Sequence, residues 1–175
     1  LYRETFVTTK QGHHRWLYVT LGRLQGGVQG YIGSAFDITE RKQMEQELRY
    51  LAFNDPLTDL PNRKFFINRL SALIREWRDR PEPSPANPPF AVMFVDVNRF
   101  KLINDNFGVS KGDQLLKVIA RRIKSALPRS GLISRVGGDE FAVLFEGAPQ
   151  AELVERDAER LHQAFEQPFR LGEQE

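Results

Sequence analysis

At 175 residues with 41% hydrophobic content, the chain can build one good core plus a smaller appendage. Its 25 Lys and Arg nearly balance 23 Asp and Glu, which argues against a general nucleic-acid binder. The absence of cysteine excludes disulfides and cysteine–zinc sites and suits a reducing cytoplasm. No apolar run approaches membrane-spanning length, and no signal peptide opens the chain.

In chain order, Phe6-Val7-Thr8-Thr9, Gln11-Gly12 and Trp16-Leu17-Tyr18-Val19-Thr20 predict a hairpin. Gly30 to Phe36 predicts a third strand, with a turn at Gln25-Gly26-Gly27. A charged helix follows over about Glu40 to Phe53, with Thr39 as candidate N-cap. Met44, Leu48 and Leu51 fall at spacings that fit d, a and d of a heptad, so this stripe can pair two copies or pack on a neighbouring domain. An amphipathic helix is expected over Lys64 to Asp79. The stretch Pro81 to Pro89 holds five prolines in nine residues, which forbids helix and central strand and predicts an exposed, partly extended loop.

Phe90 to Val95 is an unbroken apolar run, predicting a strand buried on both faces and ending at Asp96. Leu102, Ile103 and Phe107 then give an apolar face to a short helix, with Gly108 as its C-cap. Asp113 precedes an amphipathic helix over Gln114 to Leu127 and has two readings. It is either that helix's N-cap or, with Asn104, the acceptor–donor set that matches a guanine edge. Lys101 can hold a phosphate or merely coat the surface. Arg121, Arg122 and Lys124 read as a solvated helix face.

Leu132 to Val136 and Phe141 to Phe145 flank Gly137-Gly138-Asp139-Glu140, the pattern of a hairpin. Glycine there tolerates positive φ and lets phosphates approach the backbone. Adjacent acids repel unless a cation or proton compensates. An isolated motif of this kind is most simply a solvated turn, but Asp96 ends another strand. If the two strands are neighbours, Asp96, Asp139 and Glu140 converge as hard oxygen ligands for Mg²⁺ or Mn²⁺. The chemistry expected of such a site is metal-assisted phosphoryl transfer. A last helix is expected over Gln150 to Phe165, leaving through Pro168-Phe169-Arg170. His13, His14 and His162 lack ligand partners at useful spacing.

Asp96-Val-Asn-Arg-Phe-Lys-Leu-Ile-Asn-Asp-Asn-Phe-Gly108, Gly112-Asp113 and Gly137-Gly-Asp-Glu-Phe141 together resemble the GGDEF domain of diguanylate cyclases. Asp55-Pro-Leu-Thr-Asp-Leu-Pro-Asn-Arg63 is similar to that domain's entry motif, so the resemblance covers about Asn54 to the end. It implies metal binding by Asp96, the Val97 carbonyl and Asp139, with Glu140 assisting the metal or activating a 3′-hydroxyl. It implies guanine recognition by Asn104 and Asp113. Phosphate contact falls to Lys101 and nearby backbone, with Phe100, Gly137 and Gly138 among the substrate-binding positions. Two such domains, each holding one GTP, would join as a homodimer to make cyclic di-GMP and two pyrophosphates.

Gly30-Tyr-Ile-Gly-Ser-Ala-Phe-Asp-Ile-Thr-Glu-Arg-Lys42 resembles the end of a PAS sensor domain. The expected organisation is a PAS remnant over 1–39, a helical linker over 40–53 and a GGDEF domain over 54–175, incomplete at its C-terminus. The expected fold is α+β: a central, mostly antiparallel sheet with flanking helices, of nucleotide-cyclase palm or ferredoxin-like type, plus the partial PAS sheet. Two departures from the family pattern stand out. Val109 occupies a usual histidine position, and Pro128-Arg129-Ser130-Gly131 lacks the Arg-x-x-Asp product-inhibition motif. Leu115 to Ile123 resembles a helix of tandem proteins that continue into an EAL phosphodiesterase domain. That likeness keeps open a regulatory domain that binds GTP without turning it over.

Overall fold

The computed structural model describes residues 1–23, 30–80, 90–127, 131–147 and 150–169. The expected turn at Gln25 to Gly27, the proline-rich stretch 81–89, residues 128–130 and Arg170 lie outside them. The chain divides into two compact units, Leu1–Tyr50 and Leu51–Glu175.

The first unit is a three-stranded antiparallel sheet of β1 (Tyr2–Thr8), β2 (His14–Arg23) and β3 (Tyr31–Asp37), in the order β1-β2-β3. Gly12 turns the first hairpin at φ 82°, a conformation glycine reaches without a Cβ penalty. Phe6 lies opposite Trp16, and their rings pack 5.3 Å apart. Helix α1 (Thr39–Phe53) leaves this sheet. Thr39 does not cap it as expected. Its hydroxyl instead accepts the Trp16 N–H at 2.9 Å, while the Asp37 carboxylate accepts the Thr39 N–H at 2.9 Å. Met44, Leu48 and Leu51 are all exposed along α1.

The second unit holds the core. Short strands β4 (Asn54–Asp55) and β5 (Leu60–Pro61) pair around a tight turn, followed by α2 (Arg63–Arg78). Asn62 caps α2 by accepting the Phe65 N–H at 3.0 Å, satisfying one of the first-turn donors. Next come β6 (Phe90–Asp96), α3 (Phe100–Phe107), α4 (Val109–Ala126), β7 (Leu132–Arg135), β8 (Glu140–Glu146) and α5 (Ala151–Glu166). The sheet order is β6-β8-β7, all antiparallel. The α+β architecture with antiparallel sheets and flanking helices is as expected.

Side chains alternate along β8 so that both faces are buried. Phe141, Val143 and Phe145 join Leu115, Leu116, Ile119 and Ile123 of α4 and Leu161 of α5. Ala142 and Leu144 face Phe66 and Leu73 of α2. The strand predicted to be buried on both faces, β6, is only partly buried, and Phe94 is 70% exposed. Sheet order explains the difference: β8 lies between two neighbours, whereas β6 has one among the described residues.

Two further expectations are corrected. Of the expected apolar face of α3, Ile103 does pack towards the core, but Leu102 and Phe107 are exposed and Phe100 packs inward in their place. Arg121 and Lys124 are exposed as expected, but the half-buried Arg122 is engaged. It donates to the carbonyls of Ala164, Gln167 and Pro168 at 3.1, 2.5 and 2.9 Å, and stacks 3.7 Å from the Phe169 ring centre. It thereby closes the C-terminal end of α5, whose last carbonyls lack helical partners.

Candidate functional site

The β6–β8 register brings the two acidic strand ends together. Asp96 pairs directly with Glu140, and the Val97 N–H donates to the Asp139 carbonyl at 3.3 Å. Residues directly opposite in an antiparallel pair project on the same face, where like charges are destabilising. A cation between them removes that cost. The acids nevertheless do not converge as three ligands. Among the described residues no group of three or more His, Asp or Glu is arranged to hold a metal. Glu140 folds back over Gly137 instead: a Cβ on Gly137 would lie 2.4 Å from Glu140 Oε2.

The glycines therefore act through space rather than through backbone conformation. Neither Gly137 nor Gly138 has positive φ, contrary to the expectation for this turn. Gly137 makes room for Glu140, whereas a Cβ on Gly138 would meet nothing within 4 Å. The Val136 N–H donates to the Glu140 carbonyl at 2.9 Å and closes the turn.

What seats this turn is Arg135, a residue without an expected role. Its Nη1 donates to both Asp55 carboxylate oxygens at 2.9 and 3.1 Å, and its Nη2 to the Gly138 carbonyl at 2.6 Å. Asp55 Oδ1 also accepts from the Thr58 N–H at 2.9 Å and the Thr58 hydroxyl at 2.6 Å. Burial alone would raise the Asp55 carboxyl. The hydrogen bonds from Thr58 and Arg135 outweigh it and hold the group below the ordinary carboxylate value. The entry motif is thus a clamp on the acidic turn. Asn62 completes it, donating from Nδ2 to the carbonyls of Ala52 and Asn54 at 3.1 and 3.3 Å. A signal was available in the sequence: Arg135 stands two residues before the glycine pair, on the strand that leads into the acidic turn.

Between Asp96 and α3, the Phe100 N–H donates to the Val97 carbonyl at 3.2 Å. That leaves the carbonyl a second lone pair for a ligand. The partly buried Phe100 ring packs against the core. Arg99 sits at φ 59° in the left-handed region, a sparsely populated conformation for a residue with a side chain. Lys101 is exposed on the first turn of α3.

The base-reading candidates lie where α3 meets α4. Asn104 Oδ1 is buried with no hydrogen-bond partner. Its neighbour across the helix junction is Gly112 of α4, which directly precedes Asp113. Asp113 is not an N-cap. Helix α4 begins at Val109, one turn earlier than expected, with Gly108 at φ 84° as both the end of α3 and the start of α4. The half-buried Asp113 carboxylate therefore sits inside a helix, where capping cannot explain it.

Oxygen donors only, at adjoining strand ends, suit a hard cation. Magnesium held by few protein oxygens completes its shell with water and substrate phosphates, so the absence of a three-carboxylate cluster is compatible with it.

Residues 52–175 match the family described as "Diguanylate cyclase, GGDEF domain". The chain is 40% identical over 126 residues to the diguanylate cyclase TpbB of Pseudomonas aeruginosa, covering 72% of this chain and 28% of the relative. It is 37% identical over 139 residues to the signaling protein YkoW of Bacillus subtilis, covering 77% and 16%. The chain therefore spans less than a third of the length of either relative. Among solved structures, the GGDEF domain of TpbB aligns with a TM-score of 0.59 at 39% identity, covering 70% of this chain and 67% of that one. The coiled coil and GGDEF domain of DgcB from Caulobacter crescentus, in complex with c-di-GMP, aligns at 0.60 and 26% identity, covering 71% and 61%.

Proposed function

The chain belongs to the GGDEF family of diguanylate cyclases, and from that premise we propose that it condenses two GTP into cyclic di-GMP and two pyrophosphates. The observation that carries this reading is the pairing of Asp96 with Glu140 beside the Val97–Asp139 backbone bond. In this reading Asp96, the Val97 carbonyl and Asp139 hold Mg²⁺ or Mn²⁺. The metal supplies neutralisation of phosphate charge and orientation of the reacting groups. Asn104 and Asp113 take up the guanine, and Lys101 and the open space at Gly138 accommodate phosphates. Glu140 accepts the proton of the attacking 3′-hydroxyl. That oxygen bonds the α-phosphorus of the second GTP, and the bond to pyrophosphate breaks.

Each domain holds one GTP, so the reaction needs two copies facing one another. The exposed Met44, Leu48 and Leu51 stripe of α1 supports helix pairing between them. The β1–β3 sheet leading into α1 supports reading residues 1–39 as the end of a PAS sensor domain. The proposed compartment is the cytoplasm, where GTP is available. Among the described residues no helix is long and apolar enough to cross a membrane.

A second reading, a regulatory domain that binds GTP without consuming it, rests on the likeness of Leu115 to Ile123 to a helix of tandem proteins that continue into an EAL domain. One experiment separates the two. Incubation of the purified protein with GTP and Mg²⁺, followed by chromatography, should yield cyclic di-GMP and pyrophosphate in a one-to-two ratio. Saturable GTP binding with no product supports the regulatory reading. Absence of GTP binding overturns both.

A further inference from the structure

Gly112 is buried within α4, although glycine is a poor helix former and its freedom is not used there, since its φ is not positive. The reason for it is steric. A Cβ at this position would lie 1.9 Å from Asn104 Oδ1, 3.0 Å from Asn104 Cγ and 3.1 Å from Phe100 Cζ. Approaches below 3.0 Å are not tolerated, so any side chain here displaces the Asn104 carboxamide. That carboxamide carries a buried oxygen without a protein donor. Buried polar atoms are normally paired, and an orphan held this tightly points to a donor that arrives from outside.

Asn104 lies at the helix junction, with Phe100 one turn before it on α3 and the Gly112 notch facing it from α4. The next residue on α4 is Asp113. We infer that Gly112 is a specificity-determining positioning residue. Its missing side chain is the notch that fixes the Asn104 carboxamide beside Asp113 in the orientation that reads a guanine edge. This rests on the reading of Asn104 and Asp113 as the base-recognising pair. It adds a residue that touches no base yet sets which base is accepted.

The test is titration calorimetry with GTP and with ATP, in magnesium buffer, on the wild type, G112A, N104A and the double variant N104A/G112A, alongside melting temperatures. The expected result is a loss of at least tenfold in GTP affinity for G112A, with ATP affinity nearly unchanged. In the N104A background, adding G112A should change GTP affinity less than twofold, because the group it displaces is already gone. Gly112 acting only in helix packing predicts a lower melting temperature with the GTP-over-ATP preference intact, and that outcome overturns the inference. Additive effects of the two substitutions on GTP affinity also overturn it. If G112A does not fold, recovery of folding in N104A/G112A supports the clash, and failure to recover overturns it. A wild type that does not prefer GTP over ATP sinks the base reading itself, which distinguishes that failure from failure of the role assigned to Gly112.

Discussion

Asp55 and Arg135, 80 positions apart in sequence, are joined by paired hydrogen bonds of 2.9 and 3.1 Å from one guanidinium nitrogen to both carboxylate oxygens. The same guanidinium holds the Gly138 carbonyl, so the link runs from the entry turn to the acidic hairpin. Both side chains are largely buried, at 13% and 20% exposure for Arg135 and Asp55. The pair therefore outranks the exposed ion pairs of the first unit, such as Arg41 with Glu45, which contribute little once solvent screens them.

Asp55→Asn should lower the stability of the second unit by about 1.5–3 kcal/mol, the range for hydrogen bonds to a charged group. The loss should depend on pH. The carboxyl is held below its ordinary value in the folded state, so the unfolded chain binds the proton more readily as acid is added. The contribution is complete above the unfolded value of about 3.9 and disappears as pH falls through the lowered folded one. Denaturant titrations of wild type and variant should converge in that acidic range. A constant gap down to the lowest pH would contradict the assignment.

Asp139→Ala should abolish cyclic di-GMP formation and leave folding nearly unchanged. A substitution in an open turn costs within about 0.5 kcal/mol. Product chromatography and a melting curve on the same preparation check both halves. Undiminished turnover would remove Asp139 from the metal site.

Asp113→Ala should cut GTP affinity by about 1.5–3 kcal/mol and shrink the preference over ATP by more than tenfold. Because Asp113 lies inside α4 rather than at its cap, its melting temperature should hold or rise slightly, alanine being the better helix former. A fall in stability with selectivity intact would favour a structural role.

Gly138→Ala tests whether the open space above the turn belongs to substrate. Its Cβ meets nothing within 4 Å and its φ is not positive, so stability should not change measurably. GTP affinity should drop several-fold if phosphates occupy that space. Unchanged binding would place them elsewhere.

Composition, apolar runs and the ordered motifs determined which elements form and which residues carry charge or acceptors. The hairpin around Gly137 and Gly138, the strand ending at Asp96 and the Gly108 break between helices all follow from local patterns: runs of apolar residues, turn glycines and helical spacing. These are short-range properties, decided by backbone sterics and by which side of an element must leave water. What only the tertiary structure decided is long-range. Burial of β8 rather than β6 depends on sheet order, which no single strand encodes. The grip of Arg122 on the end of α5 and the bond from Arg135 to Asp55 require partners tens of residues away. The notch at Gly112 exists only because α3 packs Asn104 against it, a contact distance that spacing along a chain does not contain.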